Sequence, residues 1–182
     1  MAETLQAPMM PSASRNGFFL GLALVLFQTI FYLADIQYNS KLGYLAYFIL
    51  IAGLFLSIRN YRDKANGGYL TYGRSVGYGV LVSLMAGIIS SVFVFILYSY
   101  IDPNLIDKIL MDQETKMVED NIDEDQIEIA MGYTRKMMTP PIIAVISILG
   151  MVFMGLVFSL ILSVFLRKED GSSANSFEKD TL

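Results

Sequence analysis

The sequence predicts an all-α integral membrane protein, a four-helix bundle with short amphipathic extracytoplasmic helices between its third and fourth spans. Three observations carry this. The chain has 182 residues, of which 54% are hydrophobic, and its mean hydropathy is +0.52; soluble domains hold about 45–50% apolar residues. The excess is gathered into four nearly uncharged blocks, each close to the roughly 20 residues that cross a bilayer as a helix. Between the third and fourth blocks lies an acidic stretch whose apolar residues still recur at helical spacing. This length predicts one domain.

Residues 1–14, MAETLQAPMMPSAS, are polar, contain proline and lack a period. They read as a disordered N-terminal tail. The first span follows over 17–36, where only Gln28 and Asp35 are strongly polar. A cleaved signal peptide would have an apolar core of about 7–15 residues and small residues at a cleavage site. This block is longer, and YLADIQYNSK offers no such site, so the span is expected to be retained. The second span, 42–58, has 17 uncharged residues. The connection RNYRDKANGGYLTYGR follows, broken at Gly67-Gly68. The third span, 75–101, has 27 uncharged residues, and the fourth, 141–166, has 26. Residues 169–182 are polar and read as a disordered C-terminal tail.

Asp102 and Pro103 end the third span. Proline disfavours helical geometry at the residue before it, and aspartate is expensive in hydrocarbon. Tyr98 and Tyr100 stand just before, at the level where aromatics meet headgroups. Asp102 therefore reads as a boundary residue. The 36–41 turn has one basic residue, Lys41, whereas the 59–74 connection has Arg59, Arg62, Lys64 and Arg74. The excess of Lys and Arg puts that connection in the cytoplasm. With four spans both termini are then cytoplasmic, and Arg15 and Arg167-Lys168 agree.

The segment 102–140 falls outside, with ten acidic and four basic residues, net −6. Leu105, Ile106, Ile109, Leu110 and Met117 share one helical face. Asn121 reads as a break. Asp123 with Gln126 three positions on resembles a capping box, with Ile122 as its staple residue. Ile127, Ala130, Met131, Thr134 and Met138 follow on one face. Acids at the start of this helix and Arg135-Lys136 near its end suit the helix dipole. A calcium loop would need a Gly at its sixth position and a Glu at its twelfth. EDNIDEDQIEIA has no such glycine, so the acids read as a solvated face. Pro140-Pro141 opens the fourth span, where proline costs least.

Small residues recur every four positions in the third span (Gly79, Ser83, Gly87, Ser91) and in the fourth (Gly155, Ser159, Ser163). Such stripes let helices approach closely, so the two are expected to face each other or a second protomer; a hydroxyl-lined pore is the alternative. Gln28 is the one strongly polar side chain well inside a span, read as an interhelical hydrogen-bonding group or, alternatively, a substrate ligand. Asp35 near the outer end of the first span either reaches the interface or couples protons.

With no cysteine and no histidine, the chain has no thiol nucleophile, iron–sulfur ligand or imidazole base. No Walker loop, zinc motif or nucleophile elbow is present. The net charge of −4 offers no broad basic patch for nucleic acid. The expectation is a non-enzymatic scaffold or accessory protein, without cofactor or metal, embedded in lipid. Its partner would be an unidentified membrane or periplasmic protein held through the acidic helices, or the chain would form a homo-oligomer. A small oligomeric transporter or channel is the alternative; a carboxylate-based membrane enzyme ranks last.

Three stretches in order, YGRSVGYGVLVSLMAGIISSVFVFILYSYIDPNLID, DEDQIEIAMGYTRKMMTPP and GLVFSLILSVFLRKED, resemble the DUF4199 family over about residues 10–170. YIDPN at 100–104 and MMTP at 137–140 are the most specific pieces. The resemblance implies a four-span protein of a bacterial inner membrane, mostly found in Bacteroidota. It carries no activity or catalytic residues over to this chain.

Overall fold

The computed structural model describes residues 7–34 and 41–168. Four helices are long and apolar enough to cross a membrane. The first, α1, runs Met9–Leu33. After a 3-10 turn at Lys41–Tyr44, α2 runs Leu45–Asn60 and widens into a π turn at Tyr61–Ala65. The third span is α3, Tyr72–Ile96, with a π turn at Leu97–Ile101. Two short helices follow, α4 at Leu105–Glu119 and α5 at Glu124–Met137. The fourth span is α6, Pro140–Leu166, with proline at its first two positions.

The helix α1 begins at Met9, inside the stretch read from sequence as a disordered tail. Pro8 and Pro11 suggested a break. Pro8 sits at the N-cap and Pro11 in the first turn, where the missing N–H has no intrahelical partner to lose. Ala13 is fully buried, so this extension packs with the bundle. Residues 1–6 and 169–182 lie outside the described residues.

The centre of the bundle is α3, which contacts α1, α2 and α6. Against α1 it is parallel. Ala13, Gly17 and Gly21 form a flat strip there, and a Cβ on Gly17 would stand 2.5 Å from the Met85 Cβ and 2.7 Å from the Val82 carbonyl oxygen. Glycine is required at that contact. Leu50, Leu54 and Ile58 of α2 are buried with Leu20 and Leu24 of α1 in the same core. The outward surface is apolar: Phe19, Ile30, Phe48, Leu149, Phe153 and Phe165 are all exposed. In water such a surface would aggregate; in hydrocarbon it is the surface a spanning bundle must present.

At one end the chain is basic. Leu70 and Lys168 exchange backbone hydrogen bonds of 2.8 and 3.0 Å, which ties the α2–α3 loop to the end of α6. Gly67 and Gly68 make the turn before it at φ 60° and 90°, a region that glycine enters without steric cost.

At the other end α4 and α5 fold into a hairpin over the bundle mouth. Asn121 turns the chain at φ 56°, which asparagine tolerates better than most residues. Leu105, Ile106, Leu110, Ile127 and Met131 are buried together with Leu97 and Tyr98, and Tyr32, Met138 and Ile143 pack against them. The inward faces are the ones the helical period marks.

Candidate functional site

The α3–α6 contact is antiparallel and interlocked. The Ser75 and Ser163 hydroxyls share a hydrogen bond of 2.7 Å. Four residues on, the Ser159 Oγ occupies the place a Cβ on Gly79 would take. Four more on, the Ser83 Oγ does the same at Gly155 while donating to the Gly79 carbonyl at 3.0 Å. Each helix thus offers a glycine to the other's serine. Approach this close puts each hydroxyl oxygen near a Cα–H group, a weak but recurring helix–helix contact. Among the described residues the Ser159 Oγ has no conventional hydrogen-bond partner.

Toward the hairpin the seam loosens. A Cβ on Gly87 would meet the Met151 side chain at 3.1 Å, and the Ser91 hydroxyl turns back to the Ile88 carbonyl at 2.8 Å. Ser75, Ser83, Ser159 and Ser163 are all fully buried. This is a packing seam inside one chain, sealed from solvent.

At the basic end the Tyr61 ring stacks on Tyr78, with centroids 4.1 Å apart and planes 7° from parallel. The Tyr61 hydroxyl donates to the Ala7 carbonyl at 2.6 Å. Arg74 donates to the same oxygen at 2.7 Å and to the Tyr61 hydroxyl at 3.1 Å. Asn16 donates to the Tyr78 hydroxyl at 2.7 Å, and Ser12 shares a hydrogen bond with it at 2.8 Å. The start of α1, the π turn after α2 and the first turns of α3 are joined through two tyrosines and one arginine.

At the hairpin end, Asp102 has φ −140°, the extended geometry that Pro103 imposes on it. Its N–H reaches the Leu97 carbonyl at 2.8 Å, and Lys108 lies 3.3 Å from its carboxylate. Asp123 caps α5 by accepting from the Asp125 N–H at 3.0 Å. A groove of about 510 Å³ runs between α4 and α5. Glu114 and Val118 of α4 form one wall; Glu124, Glu128 and Gly132 of α5 form the other, over Ile127 and Met131. Arg135 pairs with Glu114 at 3.5 Å. Among the described residues, no group of three acids is gathered closely enough to hold a metal ion.

A family model described as a protein of unknown function (DUF4199) matches residues 15–168. The chain belongs to the DUF4199 family. No curated protein matches it, and neither does any solved structure. The matched DUF4199 region begins in the second turn of α1 and ends at the Leu70–Lys168 bridge, so it takes in all four spans and the hairpin. Of the residues marked from the sequence, Gly79, Ser83, Gly155, Ser159 and Ser163 meet in the seam. Gly87 lies at its looser end, and Ser91 bonds within its own helix. Gln28 is half-buried and makes no hydrogen bond among the described residues, while Asp35 lies outside them. Sequence reasoning missed the strip on α1, although Ala13, Gly17 and Gly21 carry the same four-residue spacing. It also missed the tyrosine–arginine cluster, whose members are distant in sequence.

Proposed function

We propose that this DUF4199 protein is a non-enzymatic accessory protein of a bacterial inner membrane, and that it binds another membrane or periplasmic protein through its α4–α5 hairpin. Both termini are cytoplasmic in this reading. The basic end, with Arg15, Arg59, Arg62, Arg74, Arg167 and Lys168, faces the side where Lys and Arg accumulate. The acidic hairpin then faces the periplasm.

One observation carries the reading. The hairpin buries its inward face against Leu97 and Tyr98, yet it leaves Ile129, Tyr133 and Met137 at 62%, 69% and 57% exposure. These side chains stand four residues apart on α5, on the side away from Ile127 and Met131. A short helix that has satisfied its inward face but keeps an apolar stripe outward presents an interaction surface. The serine hydroxyls gathered in the α3–α6 seam, by contrast, are sealed from solvent. A photo-crosslinking amino acid at position 133, introduced in cells of the native host, tests the proposal. A discrete adduct to one protein is expected from 133 and not from position 69 at the opposite end. Adducts to lipid alone from 133 overturn it.

A second reading, a transporter or channel acting as an oligomer, has one observation in its favour: the half-buried Gln28 amide with no hydrogen bond among the described residues. It requires solute flux in proteoliposomes that Gln28→Leu abolishes while the fold is kept.

A further inference from the structure

We propose that the groove between α4 and α5 is the docking site for a cationic amphipathic helical segment of the partner. This rests on the partner-binding reading above and names the chemistry that the partner must carry. The groove's volume, about 510 Å³, lies within the range of clefts that hold ligands, about 300–1,000 Å³.

Its floor is apolar, with Ile127 and Met131 buried beneath it. Its α5 rim carries Glu124 and Glu128 one turn apart, both exposed. Neither carboxylate has an ion pair or hydrogen bond among the described residues, whereas Glu114 across the groove is already paired with Arg135. Gly132 continues the same line one turn further on. Among the described residues nothing lies within 4 Å of where its Cβ would stand, so a partner backbone can approach α5 closely there.

The chemistry that fits is an aliphatic residue on the floor with Lys or Arg one helical turn apart above Glu124 and Glu128. A phosphate-bearing ligand would be repelled by a segment of net charge −6. A second copy's hairpin would bring the same excess of negative charge. A bare cation would leave the apolar floor unused. Helix-in-groove docking with complementary charge meets all three features.

The test uses the full chain in nanodiscs of zwitterionic lipid and a fluorescent amphipathic Leu/Lys peptide of about five helical turns, followed by anisotropy. Saturable binding is expected, weakening with salt. The double variant Glu124→Gln/Glu128→Gln and the single variant Gly132→Leu should each weaken it by about tenfold. The control Glu119→Gln/Asp120→Asn, an equal charge change at the hairpin turn, should weaken it by less than about threefold. Gly132→Leu fills open space on an exposed helix, and circular dichroism checks that its fold is kept. Equal loss from both double variants means diffuse charge attraction and overturns the groove, while leaving partner binding standing. Equal binding of a Leu/Glu peptide overturns the charge assignment. Saturable calcium binding lost in the groove variant, without peptide binding, makes the groove a cation site and overturns the proposal. No binding of any peptide overturns it too, and an adduct from position 133 then shows that the partner reading survives.

Discussion

Gly79 and Gly155 lie on opposite helices, and each receives a serine of the other. The Oγ atoms of Ser159 and Ser83 stand where their Cβ atoms would be, so even a methyl group must push the backbones apart. Gly79→Ala and Gly155→Ala should each destabilise the bundle by about 1–3 kcal/mol, the range for overpacking a tight contact. Gly87→Ala should cost less, because its nearest neighbours, the Met151 Cβ and Cγ, stand at 3.1 and 3.3 Å, tight but without overlap. Thermal unfolding in detergent measures the order; Gly87→Ala as damaging as Gly79→Ala would contradict it. Ser163→Ala removes the hydrogen bond to Ser75 and leaves a buried hydroxyl. Interhelical hydrogen bonds in membranes contribute about 0.6 kcal/mol on average, so its effect should be smaller than that of either glycine variant at the tight end. The glycine–serine spacing was visible in the sequence because a four-residue repeat of small side chains has one geometric meaning in a span. Which serine meets which glycine was not, since that depends on the relative slide of two helices.

The hairpin holds its shape through local chemistry as well as packing. Asp123 caps α5 through the Asp125 N–H, and Ile122 packs into the hairpin core. Asp123→Ala should lower the stability of α5 by about 1 kcal/mol, the usual loss of a cap. Hydrogen exchange should speed up in the first turn of α5 and stay unchanged in α3 and α6; equal speeding in the spans would mean that the hairpin is not a separate cooperative unit. The inward faces of α4 and α5 were legible because their apolar residues follow the helical period. The groove was not, because the turn at Asn121 decides which face of α4 meets α5. The start of α1 was misread because two prolines look like breaks until the helix end is located. The Tyr61–Tyr78 stack was hidden for a different reason: a tyrosine near a span end usually marks the interface, and here both rings are buried at 1% and 0% exposure. Tyr61→Leu should therefore destabilise the bundle more than Tyr61→Phe, which keeps the stack and loses only the hydroxyl; near-equal losses in detergent unfolding would assign the effect to the hydroxyl's hydrogen bonds with Ala7 and Arg74.

For the whole molecule, four apolar helices of fixed order put the loop at 61–71 and the end of α6 at one face and the hairpin at the other. The Leu70–Lys168 bridge holds the first pair together. That much follows from hydropathy and chain continuity. The assignment of faces to compartments rests on Lys and Arg alone, and the partner-binding proposal depends on it, because a hairpin in the cytoplasm would meet different partners. Reporter fusions measure this directly. Alkaline phosphatase is active only outside the cytoplasm, and a green fluorescent protein matures inside it. Fused at residues 68, 120 and 175, the pair should give fluorescence at 68 and 175 and phosphatase activity at 120. Phosphatase activity at 68 or 175, or fluorescence at 120, would contradict the account.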